Sequence, residues 1–150
     1  AELELVIDYL KIQRFRFGDK IDYQLKVAEE TKAFPILPLT IQPLVENAVV
    51  HGLGQKEESG TVWIDICQRG RYLLISVRDD GVGMTEPELQ AVQGLLTEGQ
   101  EYGRKHIGLN NLQQRLGLFY GSEYGLRIKS LFNQGTEVEI RLPWRGEKDV

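Results

Sequence analysis

Residues 77–84 read VRDDGVGM. Two neighbouring carboxylates and two glycines stand where the apolar alternation Leu73, Ile75, Val77 runs out. Side chains of a strand face opposite sides in turn, so Asp79 continues the row set by those three and points inward. A carboxylate turned inward needs a charge or hydrogen-bond partner. The exocyclic amine of a purine is one such donor, and glycine at 81 and 83 leaves bare backbone beside which a flat ring fits. Asp80 faces the other way, toward solvent. The same letters also spell a plain acidic turn, and on this motif alone that reading is slightly the better one.

The neighbouring segments set the architecture. TVWIDICQ (61–68) and YLLISVRD (72–79) are joined across RGR and predict a short antiparallel hairpin. LRIKSLF (126–132) and TEVEIRLP (136–143) form a second strand pair, in which Val138, Ile140 and Leu142 alternate with Glu137, Glu139 and Arg141. Near the start, Leu3, Val6, Ile7 and Leu10 have helical spacing, and Gly18 with Asp19 ends that run. KIDYQLKVAE (20–29) alternates Ile21, Tyr23, Leu25 and Val27 with polar residues. Two prolines in FPILPL (34–39) then delay the next helix, placed over 38–53 with Pro38 in its first turn, Leu39, Val45, Ala48 and Val49 on its apolar face, and Gly52 and Gly54 breaking it. Thr85 caps a helix over 85–96 with Pro87 near its start, residues 98–106 form a polar loop, and IGLNNLQQRLGLFY (107–120) is a further helix. Strands in adjacent pairs with helices between them predict a two-layer α/β sandwich: a mixed, mostly antiparallel sheet with the helices on one face.

Bulk properties bound the function. At 150 residues and 41% hydrophobic content the chain makes one domain with a sizeable core. A net charge of −4 with 18 scattered Lys and Arg offers no basic field for a phosphodiester backbone, which excludes nucleic acid as a partner. Cys67 is the single cysteine, so no disulfide framework exists, and the strand pattern assigns it to the core. No apolar run is long enough to span a bilayer and no secretory leader is present, which points to a soluble, intracellular polypeptide. AELELVIDYLKIQRFRF opens in mid-helix without a capping residue, as expected of a piece of something longer.

The phosphate-loop, dinucleotide, zinc-protease and nucleophile-elbow signatures are all missing. Three other groups of residues remain. ENAVVHG places Glu46, Asn47 and His51 mid-helix, where asparagine is a poor helix former whose amide must be satisfied. Its amide oxygen suits Mg²⁺, a cation that takes oxygen ligands and is commonly shared with phosphates. Asn47 and His51, four apart, share a face. Taken singly, His51 reads as a helix-end charge on the dipole, and a metal site of His51 with His106 lacks further ligands. In GRKHIGLNNLQQRL the amides near Gly108 open a helix, with Arg104, Lys105 and His106 just upstream where a polyanion would lie, while Leu109, Leu112 and Leu116 fit a core face. Thr136 heads a buried strand and offers a hydroxyl.

In this order, PLVENAVVHG, DDGVGM, HIGLNNLQQRL and GTEVEI resemble the N, G1 and G2 boxes and the closing Gly-Thr strand of the GHKL (Bergerat-fold) ATP-binding superfamily, which groups DNA gyrase, heat-shock chaperones, MutL and histidine kinases. The resemblance covers about residues 34–143. IQPLVENAVVHGL with IGLNNLQQRL resembles, more specifically, sensor histidine kinases of the LytS and YehU type. The resemblance implies residues 1–17 as the end of a linker or dimerisation helix and 18–150 as the ATP-binding catalytic domain. It implies Asp79 on the adenine amine with Thr136 assisting through water, Asn47 on Mg²⁺, and Gly81, Gly83 and Met84 along the base. His51, Lys105, His106, Gly108 and Leu109 join the nucleotide contacts, Glu46 and Asn47 are the catalytic candidates, and residues 86–107 form a lid. ATP would then donate its γ-phosphoryl group to a histidine on an upstream helix. The implied partners are ATP or ADP, that acceptor helix and a response regulator, in a homodimeric, membrane-anchored parent whose catalytic part is cytoplasmic.

Departures from the pattern also carry information. Pro43 stands four residues before Asn47, where hydrolytic relatives carry a water-activating glutamate, which disfavours hydrolysis. Val50 replaces a lysine of many kinases, and Lys105 and His106 interrupt the usual glycine pattern. The alternatives are a nucleotide-gated ATPase or chaperone-like module, and a degenerate interaction domain. Pro43 speaks against the former. Asn47, Asp79 and Gly108 speak against the latter.

Overall fold

The computed structural model describes residues 2–32, 36, 39–53, 59–98, 107–121 and 123–143. Helix α1 (Glu2–Phe17) leads into strand β1 (Ile21–Val27), then α2 (Gln42–Asn47), which widens without interruption into a π-helical turn at Ala48–Gly52. Strands β2 (Gly60–Arg69) and β3 (Tyr72–Asp79) follow, then helices α3 (Glu86–Glu98) and α4 (Ile107–Tyr120), and strands β4 (Leu126–Leu131) and β5 (Gly135–Pro143). The strands lie in the order β1-β2-β3-β5-β4. β1 runs parallel to β2 and every other pairing is antiparallel, which is the mixed, mostly antiparallel sheet the strand pairs predict.

One face of this sheet makes the core. Val62, Ile64 and Ile66 of β2 stand in register with Asp79, Val77 and Ile75 of β3, and these with Thr136, Val138 and Ile140 of β5. All nine side chains are buried, so the period-2 alternation of each strand aligns into continuous rows across the sheet. The row Val62–Asp79–Thr136 is the one that ends in polar groups. Against these rows pack Val6 and Leu10 of α1, Leu44, Val45, Ala48 and Val49 of α2 and its π turn, and Leu109, Leu112 and Leu116 of α4. The opposite face is polar: Arg78 lies 4.2 Å over the Trp63 ring, its cross-strand neighbour, in a cation–π contact. Cys67 shares the alternation of Trp63 and Asp65 and is half-buried on that outer face, not in the core the sequence assigned it to.

α1 is fastened to the rest by its first turn. The Glu2 carboxylate accepts hydrogen bonds from the Ile41 and Gln42 amides, at 2.6 and 3.2 Å, and so caps the start of α2 from outside. Its other flank leaves Leu5, Ile12 and Phe15 exposed. Among the described residues no helix is long and apolar enough to cross a membrane.

The helix expected over 38–53 differs from the sequence reading at both ends. Pro38 and Gly54 lie outside the described residues. The helix begins at Gln42 with Pro43 in its first turn. Leu39 belongs to the preceding turn: its φ is +59° and its side chain is 53% exposed, not on the apolar face. Arg115 of α4 donates to the Leu39 carbonyl and holds that turn in place. At the other end, Gly52 does not break the helix; it completes the π turn, the wider coil that recurs at functional sites.

Candidate functional site

The site begins where β3 ends. Asp79 is 3% exposed, and its Oδ1 accepts the Gly81 amide at 2.9 Å. The approach of three backbone segments creates the space around it. A Cβ on Gly52 would stand 2.5 Å from Asp79 Oδ1, and one on Gly81 would run into the Gly52 backbone. The Val82 amide bonds the Gly52 carbonyl at 3.3 Å, and the Val82 carbonyl accepts the Asn133 amide at 2.6 Å. The loop after β3 is therefore stitched to the π turn on one side and to the β4–β5 hairpin tip on the other. Gly83 has φ +66° and a Cβ there would overlap the Leu131 carbonyl, so only glycine satisfies both the conformation and the contact.

These segments enclose a cavity of about 190 Å³. Six residues singled out from the sequence meet around it: Asn47, His51, Asp79, Gly83, Met84 and Thr136. Gly52, Val82 and Phe132 complete the wall and were not anticipated, together with Glu88 from the segment 86–107 expected as a lid. The volume is below the roughly 300–1,000 Å³ of pockets that enclose a drug-sized ligand, and suits one flat ring system with the rest of its molecule outside. Val82, Met84 and Phe132 are apolar wall. The acidic side chains bordering the cavity are Asp79 and Glu88, and among the described residues no Lys or Arg does so. The acidic part of the described lining favours hydrogen-bond donors over phosphate.

Several predicted residues lie elsewhere. Gly81 supports Asp79 through its amide and packs on Gly52. Glu46 is exposed; its Oε1 accepts from the Gln42 amide group at 3.2 Å, and its charge acts on Tyr9 of α1. The Tyr9 hydroxyl is pushed above its ordinary range first by burial and then by Glu46, with Arg16 opposing. Leu109 is 2% exposed within the core, so a ligand meets at most its backbone. Gly108 lies in the first turn of α4, with Pro43 Cβ the nearest atom to a Cβ built there, at 4.0 Å. Lys105 and His106, like most of the expected polar loop, lie outside the described residues. Asp80 also departs from the sequence reading: its Oδ1 accepts the Thr61 amide at 2.7 Å, closing the sheet end beside β2 instead of facing solvent.

One more residue, Ser130, emerged from the structure, and Glu88 has a second part to play. Ser130 Oγ lies 2.8 Å from the Met84 amide, 3.0 Å from the Gly135 carbonyl and 2.8 Å from Thr136 Oγ1, behind the cavity wall. Its place is legible in the hairpin register, since Ser130 pairs with Thr136. Glu88 accepts from the Thr85 hydroxyl at 2.8 Å while the Thr85 oxygen takes the Glu88 amide at 3.4 Å, a capping box that starts α3 at the cavity edge. Among the described residues no group of three or more His, Cys, Asp or Glu is placed to hold a metal ion.

The sequence model of the family described as histidine kinase-, DNA gyrase B- and HSP90-like ATPases matches residues 36–146. The chain belongs to this family. The HATPase match takes in every element that builds the cavity. Among curated proteins, the sensor protein kinase HptS of Staphylococcus aureus is 34% identical over 150 residues, covering 99% of this chain and 28% of that protein. The chain thus spans under a third of the length of such relatives. Among solved structures, the fold is shared with the histidine kinase domain of a blue-light activated kinase from Erythrobacter litoralis EL346, at 19% identity, TM-score 0.60, and coverage of 93% of this chain and 59% of that one. The catalytic domain of the histidine kinase ThkA superposes with TM-score 0.61 at 14% identity, over 96% of this chain and 93% of that one.

Proposed function

We propose that this chain is the ATP- and Mg²⁺-binding catalytic domain of a sensor histidine kinase of the LytS and YehU type. The observation that carries the reading is Asp79: a buried carboxylate, one oxygen held by a backbone amide, at a cavity sized for one ring system and flanked by apolar Val82, Met84 and Phe132. Such a carboxylate accepts a hydrogen bond from the adenine amine, and the glycine-lined backbone admits the ring edge. Asn47, 8% exposed at the cavity, is the oxygen donor for the cation. With no cluster of acidic or imidazole ligands among the described residues, the cation's remaining ligands are phosphate and water, the usual coordination of Mg²⁺. The phosphates lie outside the acidic chamber, toward the N-terminus of α4, whose unpaired amides favour anions.

ATP supplies the γ-phosphoryl group, and the chain's own residues orient the base, hold the cation and keep the reacting end outside the chamber. Pro43 lies in the first turn of α2 where a hydrolytic enzyme would need a base, which disfavours the ATPase alternative. The acceptor histidine belongs to a helix upstream of residue 1. Residues 1–17 are the end of that linker: Leu5, Ile12 and Phe15 are exposed at spacings of a heptad seam, suited to a second copy in a homodimeric parent. Glu46, exposed and close enough to α1 for its charge to act on Tyr9, is the candidate for orienting the acceptor. The parent is membrane-anchored, this part cytoplasmic, and a response regulator takes the phosphoryl group onward.

The test is a calorimetric titration with ATP, with and without Mg²⁺. Binding strengthened by the cation, with no acid-labile phosphohistidine formed on the isolated chain, is the expected result. No binding in either condition overturns the reading.

A further inference from the structure

The cavity floor holds two polar side chains opposite each other across β3 and β5, Asp79 and Thr136. A hydroxyl both donates and accepts, so Thr136 alone does not determine which base edge it reads. Ser130 removes that ambiguity. The Met84 N–H donates to Ser130 Oγ, using one lone pair. The Gly135 carbonyl accepts and never donates, so it takes the single Ser130 proton. One lone pair then remains on Ser130 Oγ, and Thr136 Oγ1 at 2.8 Å fills it by donating its own proton. The opposite assignment, Ser130 donating to Thr136, takes that proton from the carbonyl of a buried glycine.

We propose that Ser130 is a specificity-determining positioning residue: it draws the Thr136 proton into the wall, so that the cavity floor presents acceptors alone, the Asp79 carboxylate and the Thr136 lone pairs. The inference rests on reading the cavity as a base pocket. Such a floor takes a purine bearing an amine at its 6-position, directly or through a water. It refuses a purine bearing a carbonyl there, because acceptors then meet an acceptor and buried polar groups go unpaired. The selection that Asp79 makes of an adenine over a hypoxanthine or guanine nucleotide is thus sharpened by a serine that does not line the cavity.

The experiment compares ATP with inosine triphosphate, which differs at the 6-position and in the N1 proton, on the whole chain by calorimetry. Wild type is expected to prefer ATP. In Ser130→Ala the Thr136 proton is released to turn into the cavity, and the ATP-to-ITP affinity ratio is expected to fall about fivefold to tenfold, the worth of one hydrogen bond. Ser130→Thr keeps the hydroxyl and is expected to keep the ratio. Thr136→Val, which spares the Ser130 bonds to Met84 and Gly135, is expected to weaken ATP more than ITP. A folded Ser130→Ala with an unchanged ratio overturns the proposal, as does a Thr136→Val ratio that rises, since that result means Thr136 presents its proton. If Ser130→Ala does not fold, the Thr136→Val ratio decides. A wild type that binds neither nucleotide refutes the base-pocket reading itself, whereas a selective wild type with unresponsive variants refutes the Ser130 role and leaves the pocket standing.

Discussion

Replacing Gly52 by alanine tests whether the site depends on a missing Cβ. In an ordinary helix interior the change favours folding by about 1 kcal/mol. Here the new carbon would stand 2.5 Å from Asp79 Oδ1 and 2.6 Å from its Cγ, whereas ordinary contact begins near 3.4 Å. The carboxylate must back away by roughly 0.9 Å, the difference between 3.4 and 2.5. Overpacking of this kind costs about 1–3 kcal/mol, so the net loss of stability is about 0–2 kcal/mol and the variant stays folded. On the proposed role of Asp79, the displaced carboxylate loses a charge-assisted hydrogen bond to the base, worth about 1.5–3 kcal/mol, or about tenfold to 150-fold in affinity. Urea unfolding reads the first quantity and ATP calorimetry the second. Gly94, in α3 with nothing within 4 Å of an added Cβ, is the control: Gly94→Ala is expected to gain up to about 1 kcal/mol and leave ATP binding untouched. A Gly52→Ala protein that binds ATP like wild type would refute the argument that the missing Cβ at Gly52 is what lets Asp79 take its place.

Asp79→Asn keeps the shape but replaces an acceptor oxygen with an amide donor, so ATP binding is expected to fall below detection while the circular dichroism spectrum is unchanged; an unaltered affinity removes Asp79 from its role. Leu39→Gly relieves a positive φ on an exposed side chain and is expected to stabilise the fold by about 1 kcal/mol, and a destabilised variant in thermal unfolding contradicts the assignment of strain to that turn. Tyr9 supplies a pH dependence. Burial, then Glu46, raise its pKa in the folded chain, so the unfolded chain loses its phenolic proton first as the solution becomes alkaline. The stabilising contribution is therefore complete below the unfolded value of about 10 and disappears as pH climbs through the folded value. Tyr9→Phe is expected to flatten the fall in stability above about pH 10; an equally steep fall in the variant rules Tyr9 out as its source.

Much of this fold is written in local periodicity. The alternation of β2, β3 and β5 reflects a sheet buried on one face, and α4 matches the helix expected over 107–120 because its leucines recur at the spacing of one helical face. Those signals survive in any context. The π turn does not: Gly52 has the local signature of a helix breaker, and its carbonyl is held by the Val82 amide, 30 residues further on, while the missing Cβ leaves room for the Asp79 carboxylate. Leu39 misleads for the same reason, since the partner that holds its carbonyl, Arg115, is remote in sequence. In the site, Asp79 and Thr136 were legible because strand parity turns them inward. Phe132, expected as the last residue of the strand over 126–132, lies past the end of β4 in the hairpin tip, where strand parity does not apply, and Ser130 becomes visible once the register pairs it with Thr136.

The glycine-to-backbone contacts around Asp79 have a bearing on how this chamber tolerates divergence. Where main chain touches main chain at Gly81, Gly83 and Gly135, and where Gly52 meets the Asp79 carboxylate, mutation can only add atoms, and every addition presses on the loop after β3 or its neighbours. Tolerated change is thereby expected at the side chains of Val82, Met84 and Phe132, which border the cavity without filling those contacts. Lineages with few letters in common can keep the same mould and fit it with different lips.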